Sequence, residues 1–354
     1  SFVLKGKGHI VTSNLSLAVV MTGAIVGLLG AYILTSLVLL KKPGILHRKR
    51  KRYFYASHIS HRGGAGERLE NTFPAFQRAV SLSTDMLELD CHLLANGDVV
   101  ISHDSDLTRL TGVPSDISKF SVHTLPPLLE TLQLTFSPDK FVSATTPEER
   151  KFTLLQDVFE AFPGIPINID IKINDDRLIQ RVNEMVSQFN REHITIWGNR
   201  SHEISSKCFK VNNNIGALFS QRRIIEILIL FYTGLLPFFP IYESHFEIPM
   251  LKILLEPDFE RYFSKSKRYI IWFVDKLLMR PSLIRHLHDR GIPTYVWVCN
   301  TQQQFQDAFE AGAEGVMTDY PTLLTQFLNE NPKYLHYPKE NDMLISNRGD
   351  LPPP

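Results

Sequence analysis

The chain has 354 residues, 44% hydrophobic and 21% charged, which is enough apolar matter for a packed core and excludes wholesale disorder. Three cysteines, Cys91, Cys208 and Cys299, cannot build a disulfide framework and fit reduced thiols. The net charge of +1 excludes a wholly basic nucleic-acid binder, but it is an average: residues 1–60 carry nine Lys and Arg and no acid, leaving 29 positives against 37 negatives elsewhere.

The first predicted element lies inside that basic segment. Leu15 to Leu40 is 26 residues without a charge. As a helix it would run about 39 Å, more than the roughly 30 Å hydrocarbon core of a bilayer. A cleavable signal peptide has a shorter apolar region and a small-residue cleavage site, so 15–40 reads as an uncleaved transmembrane anchor between a short segment, 1–14, and a basic juxtamembrane linker, 41–55. Two basic residues precede the anchor and seven follow it, among them the RKRKR run Arg48–Arg52. The positive-inside rule then places the body on the cytosolic side, with the endoplasmic reticulum or another intracellular membrane as the expected location. The same run suits stopping transfer or binding anionic lipid. Because it abuts a membrane helix, no nucleic-acid partner is expected, and no obligate protein partner is evident. The chain opens on Ser rather than Met, which points to a start further upstream.

From Ala56 onward short apolar runs alternate with amphipathic ones. The predicted strands are His58–His61, Met86–Cys91, Asn168–Lys172, Ile194–Trp197, Ala217–Ser220, Phe246–Ile248, Thr294–Val298 and Gly315–Thr318. Val99–His103 is expected to pair back on the second strand through a type I′ turn at Asn96-Gly97. Helical periodicity covers Thr72–Ser83, Leu155–Phe162, Asp176–Phe189, Ser282–Arg290 and Gln302–Ala311. This alternation predicts an α/β fold with a parallel sheet: a closed (β/α)₈ barrel over 56–330, or a doubly wound open sheet with the same rhythm.

Two segments break the rhythm. Residues 104–151, rich in Pro, read as an insertion over the active face, and 331–354 reads as a loose polar tail. A second apolar stretch, 227–242, is shorter than about 20 residues and holds Pro237 and Pro240. A span there would split the barrel across the membrane. It is expected instead to be a partly exposed apolar helix and loop in the anchor's leaflet, with a buried barrel helix as the plain alternative.

The candidate chemistry sits at strand ends, where barrel enzymes place their catalytic groups. His61 and Arg62 end the first strand in HRGGAGERLENT, an imidazole that titrates near neutrality and a planar fork suited to phosphate. The glycines at 63, 64 and 66 are expected to let backbone approach a ligand. Glu88 and Asp90 are two apart on a strand and share a face, which calls for a hard cation between them. His103 closes the hairpin strand, so two histidines can divide general acid and general base duties. Asp170 and Lys172 repeat the spacing on a third strand. Trp297 suits barrel packing or a rim contact with substrate, and Thr318-Asp319 ends the last strand.

Taken in order, His61-Arg62-Gly63, Glu70-Asn71-Thr72, Glu88-Leu89-Asp90, Val99–Asp104, Ile169–Lys172, Val296–Asn300 and Gly315–Pro321 resemble the glycerophosphodiester phosphodiesterase domain across nearly all of 56–330. With the anchor, HISHRGGAGERLENT and MLELDCHL are similar to the membrane-bound mammalian members with lysophospholipase D activity. The resemblance implies a TIM barrel that hydrolyses phosphodiesters with one divalent cation, Mg²⁺ or Ca²⁺. It makes His61 and His103 the acid/base pair, and Glu88, Asp90 and Asp170 the metal ligands with His103 a further candidate. Arg62 and Lys172 would hold phosphate, Glu70 would shape the site, and Trp297 completes the candidate substrate contacts. One departure is Asp170, where the family commonly has Glu; the shorter side chain retracts a ligand by about one methylene. The implied substrates are lysophosphatidylcholine, lysophosphatidylethanolamine and N-acyl ethanolamine lysophospholipids, cleaved to lysophosphatidic acid and the headgroup alcohol. The runners-up are water-soluble glycerophosphodiesters and a catalytically weak lipid sensor, the latter disfavoured because no candidate histidine or carboxylate is missing.

Overall fold

The computed structural model describes residues 7–260 and 262–335; most of the predicted tail lies outside the described residues. In chain order, α1 (Lys7–Lys41), β1 (His58–Ser60), α2 (Phe73–Ser81), β2 (Met86–Leu93) and β3 (Val99–Ile101) come first. The insertion follows as α3 (Thr108–Thr111) and a hairpin of β4 (Thr131–Leu134) and β5 (Ser137–Ser143). Then come β6 (Thr153–Leu154), α4 (Leu155–Ala161), β7 (Ile167–Ile171), α5 (Asp176–Gln188), β8 (Thr195–Gly198), α6 (His202–Val211) and β9 (Gly216–Ala217). The last part is α7 (Gln221–Tyr232), β10 (Phe246–Pro249), α8 (Pro257–Glu260), α9 (Lys265–Leu278), α10 (Pro281–Asp289), β11 (Thr294–Trp297), α11 (Gln302–Glu310), β12 (Gly315–Thr318) and α12 (Pro321–Glu330).

Eight parallel strands pair in the order β10-β11-β12-β1-β2-β7-β8-β9, and a parallel bridge from Leu218 to His245 joins the two ends. The open-sheet alternative is thereby excluded: the sheet curls into the TIM barrel. All eight predicted barrel strands are present, with ends that shift by one to three residues: β2 and β10 run longer than expected and β9 is shorter. Helix starts follow the local chemistry. Thr72, Asp175, Ser220 and Thr301 each accept a backbone N–H as N-caps, and Pro281 and Pro321 occupy first-turn positions.

Alternation along the strands builds two layers at once. Leu87, Leu89, Cys91 and Leu93 of β2 face outward into a core shared with α2, α4 and α5. On the other side, Phe246, Ile248, Val296 and Val316 meet residues of α10, α11 and α12. The lumen is divided by height. Ile59, Met86, Ile196, Leu218, Tyr295 and Met317 fill its N-terminal half with apolar matter. Above them the inward positions turn polar, which is where the chemistry collects.

The turn between β2 and β3 departs from expectation. Gly97 has φ 87° but Asn96 does not have a positive φ, so a type I′ turn is excluded. The Leu94 amide donates to Asp98 across a three-residue loop, the arrangement in which a glycine in the left-handed region ends the turn.

Among the described residues, one helix is long and apolar enough to cross a membrane, over Val19–Lys41 within α1. Its C-terminal end is fastened to the second apolar stretch. Tyr32 donates to the Thr233 carbonyl, and Ser36 to that of Gly234 at 2.7 Å. A Cβ on Gly234 would come within 2.5 Å of the Ser36 hydroxyl, so only glycine permits this approach. The stretch 227–242 is therefore not a continuous helix: α7 ends at Tyr232 and a short turn at Leu236–Phe238 follows. Nor is 41–55 a free linker. Arg50 donates to the carbonyls of Ile241, Tyr242 and Glu243, and Arg52 is buried against Glu314 at 2.7 Å. Two of the five basic residues in the RKRKR run thus hold the barrel's underside.

Candidate active site

The first and last barrel strands meet at β1 and β12, where Ser60 stands opposite Thr318. The next residue on each strand is therefore adjacent too, and His61 Nδ1 lies 2.6 Å from the Asp319 carboxylate. Asp319 also accepts from the Asn300 side chain at 2.8 Å. Burial would push its carboxyl up, but His61 and Asn300 overcome this and hold it below the usual range. The second histidine is wired alike: His103 Nδ1 lies 2.6 Å from Asp104, its chain neighbour. In both cases a carboxylate fixes the ring and leaves Nε2 for proton exchange, the logic of a His–Asp pair.

Between them stand the carboxylates. β2 and β7 register Glu88 with Asn168 and Asp90 with Asp170, the latter one residue short of the end of β7. Glu88 accepts the Arg62 backbone N–H at 2.9 Å and lies 3.9 Å from His61 Nε2. Burial, with the charge of Asp90 added, pushes its carboxyl well above the ordinary range. Burial would do the same to Asp90, but Arg62 and Lys172 outweigh it and hold Asp90 well below. Lys172 bridges Asp90 at 3.2 Å and Asp170 at 3.1 Å, and Asn199 donates to Asp170 at 2.6 Å. A further carboxyl that the motifs did not point to, Glu247 of β10, is pushed by burial up to about 8, while Asn168 donates to it at 2.6 Å.

The HRG loop explains the placement of Arg62. Its φ of 51° and that of Asn71, 59°, put two non-glycine residues in the left-handed region, tied by the Asn71 amide to the Arg62 carbonyl at 2.9 Å. The guanidinium is turned inward and 2% exposed, 3.1 Å from Glu70 and 3.3 Å from Asp90. Arg109, from the insertion, clamps both Glu70 oxygens and Asp104. So Arg62 is engaged by carboxylates here rather than presented as a free fork. The glycines also serve differently from expectation: Cβ atoms would meet the Phe76 ring at 2.9 Å from Gly63, Pro321 at 2.6 Å from Gly64 and the Tyr320 ring at 2.6 Å from Gly66. They let the loop lie flat against α2 and the start of α12.

The insertion roofs this arrangement. Phe136, at the tip of the β4–β5 hairpin, packs edge-on to His61 at 5.6 Å and to Trp297 at 6.0 Å, with the Arg62 guanidinium 5.9 Å from its ring. Trp297 thus both packs and forms the rim.

A divalent cation fits the donor chemistry. Among the described residues no three His, Cys, Asp or Glu side chains form a ready cage. The oxygens of Glu88, Asp90 and Asp170 are nevertheless gathered on two adjacent strands, with a cation, the Lys172 ammonium, between two of them. The buried Oδ1 atoms of Asn71 and Asn168 have no hydrogen-bond partner and add neutral oxygens beside the carboxylates. The predicted site residues His61, Arg62, Glu70, Glu88, Asp90, His103, Asp170, Lys172 and Trp297 therefore come together on one face. Sequence reasoning missed Arg109, Phe136, Asn168, Asn199 and Glu247, and the partnership of Asp319.

The profile of the Glycerophosphoryl diester phosphodiesterase family matches residues 61–323. Lysophospholipase D GDPD1 of Homo sapiens is 51% identical over 301 residues, 85% of this chain and 95% of that protein. Lysophospholipase D GDPD3 of Mus musculus is 36% identical over 311 residues, 88% and 93% of the two chains. Among solved structures, a putative glycerophosphoryl diester phosphodiesterase from Silicibacter pomeroyi superposes with a TM-score of 0.57 at 15% identity, over 79% of this chain and 95% of that one. The glycerophosphodiester phosphodiesterase of Thermotoga maritima gives 0.52 at 21%, over 79% and 100%.

Proposed function

Because the chain belongs to the glycerophosphoryl diester phosphodiesterase family, we propose that this phosphodiesterase is a membrane-anchored lysophospholipase D. It would release the headgroup alcohol of lysophosphatidylcholine, lysophosphatidylethanolamine or N-acyl ethanolamine lysophospholipids and leave lysophosphatidic acid. The observation that carries the reading is the pair of carboxylate-held histidines, His61–Asp319 and His103–Asp104, flanking a carboxylate cluster under an aromatic roof. The names of the relatives support lysophospholipids as the substrate class. The apolar helix α1 supports the anchor, with the barrel on the cytosolic side of an intracellular membrane.

In the mechanism, Arg62 and Lys172 turn from Asp90 to the phosphate and bind its charge, while Phe136 and Trp297 cover the site and exclude water. One histidine takes the proton of the substrate's free glycerol hydroxyl at Nε2. The alkoxide attacks phosphorus and forms a cyclic phosphate as the bond to the headgroup oxygen breaks. The other histidine delivers a proton to that leaving oxygen. Water then opens the ring with the two roles exchanged. Asp319 and Asp104 hold each ring's tautomer through both steps. A divalent ion, Mg²⁺ or Ca²⁺, held by Glu88, Asp90 and Asp170 with His103 as a further candidate ligand, would neutralise phosphate charge and polarise the phosphoryl oxygen.

A two-chain phospholipid lacks the attacking hydroxyl and should be cleaved far more slowly than its lyso form. Assaying purified protein on lysophosphatidylcholine, glycerophosphocholine and diacyl phosphatidylcholine, each with Mg²⁺, Ca²⁺ or chelator, tests the reading. Equal rates on the diacyl and lyso lipids would sink the cyclic route. Full activity in both His61→Ala and His103→Ala would sink the assignment.

A further inference from the structure

The exposed large apolar residues of this protein are not scattered singly, as on an ordinary soluble surface. Outside α1 they gather mainly on two helices and one turn. On α7, Ile225, Ile229 and Tyr232 fall at i, i+4 and i+7, one stripe, and Leu235, Phe238, Phe239 and Tyr242 continue it past the helix end. On α9, Tyr269, Ile270, Trp272 and Phe273 are 67%, 59%, 45% and 50% exposed. These four cannot be core residues awaiting a neighbour in the chain, because the opposite face of α9 is already seated. Leu278 is buried there, Val274 packs on the core beside β10 and β11, and Asp275 accepts the Lys252 backbone N–H at 2.9 Å.

Charge follows the same division. Asp275, the one acid of α9, faces inward. The outward face carries Lys265 and Lys276 beside the aromatics. A Trp and a Tyr beside a Phe and an Ile, bordered by lysines and free of acid, is the composition of a helix lying in a membrane interface. A protein partner of ordinary kind would want fewer lysines at the contact.

Contacts link α9 to the anchor. Tyr232 donates to the Leu277 carbonyl at 3.1 Å, tying the end of α7 to the end of α9. Tyr32 and Ser36 of α1 donate to Thr233 and Gly234, the next two residues. Helix α1, the end of α7 and α9 thus form one continuous apolar surface. It borders the catalytic end of the barrel: the Met250 amide donates to the Trp297 carbonyl at 2.9 Å, and two residues on Lys252 caps Asp275 of α9.

We propose that α9 is an interfacial helix that lies in the headgroup region of the anchor's own leaflet, with Tyr269, Ile270, Trp272 and Phe273 immersed and Lys265 and Lys276 at anionic phosphates. This deepens the anchored reading above and rests on it. It seats the barrel at two points, a spanning helix and a surface helix, so that the catalytic rim is held at the membrane rather than swinging on the anchor. A single-chain lipid then has a short path from bilayer to site.

Tryptophan fluorescence tests this directly. Of the three tryptophans, Trp197 is fully buried and Trp297 half-buried in the barrel, whereas Trp272 is exposed. The full chain is reconstituted into phosphatidylcholine–phosphatidylserine vesicles with brominated acyl chains. The expected result is a lipid-quenched component that disappears in Trp272→Phe. Quenching unchanged by Trp272→Phe overturns the proposal, as does a Trp272 reached by aqueous iodide but not by bromine. A Trp272 shielded from both also overturns it, and assigns the face to a protein contact such as a second copy. In parallel, Ile270→Ser with Phe273→Ser should raise the apparent KM for vesicle-borne lysophosphatidylcholine roughly tenfold and leave glycerophosphocholine hydrolysis unchanged. An equal loss on both substrates counts against α9 as a membrane contact. Absence of hydrolysis of either substrate by the unaltered protein would instead break the functional reading and leave the quenching result standing.

Discussion

At the N-terminal end of the barrel strands, Glu314 has each oxygen occupied, by Arg52 at 2.7 Å and by His288 at 3.0 Å. At the C-terminal end, less than one strand length away, Glu88, Asp90, Asp170 and Glu247 crowd together with Lys172 and Arg62 as the neighbouring cations. Burial raises the carboxyls at both ends, but the outcomes are opposite. Glu314 is held down at about 2, whereas at the upper end the cations hold only Asp90 and Asp319 down and leave Glu88 driven well up and Glu247 at about 8. Pairing at the lower end serves stability. The unbalanced upper end is where the proposed cation and phosphodiester would bind, at a cost in stability that the closed lower end offsets.

This contrast can be broken from either side. The largest effect should come from the upper end: His61→Ala, or Asp319→Asn beside it, should lower kcat by about 10³-fold or more with little change in melting temperature. A matching drop in melting temperature would make Asp319 a structural residue. At the lower end Arg52→Ala should do the reverse. It leaves Glu314 short of a partner and should cost about 3 kcal/mol of stability in chemical denaturation, while activity per folded molecule is kept. The same pair should appear in the pH dependence. Glu314 sits at about 2 when folded against 4.5 when free, so its contribution is complete above about pH 4.5 and fades as the pH falls toward 2. That loss amounts to about 3 kcal/mol and should shrink in Glu314→Gln. The smallest effect belongs to the roof. Phe136→Ala removes two edge-on ring contacts and should raise KM several-fold, about 1 kcal/mol, with kcat nearly unchanged.

Much of the upper end could be read from the chain because local pattern reports it. Period-two alternation put Glu88 with Asp90, and strand ends marked His61 and His103. What pattern cannot report is which strand lies beside which at what height. Asp319 was visible as the end of a strand, but its hold on His61 depends on β12 closing against β1 in one register. Glu247 and Asn168 needed the same information. Arg109 and Phe136 come from an insertion without clear periodicity, whose course is set by what it covers. The RKRKR run hid something for a different reason: charge counts say nothing of partners, and Arg50 and Arg52 found theirs on the barrel. Helix α9 escaped notice because its outward apolar face and inward acid invert the usual amphipathic pattern.

The bond between His61 and Asp319 crosses 258 residues of chain. Synthesis runs from α1 toward the tail, so β1 and His61 emerge long before Asp319 has been translated. Until β12 closes the seam, that imidazole has no carboxylate to fix its tautomer. On the reading proposed above, a half-made chain beside its bilayer therefore lacks one of its two carboxylate-held histidines. Completion of the barrel becomes the event that licenses the enzyme.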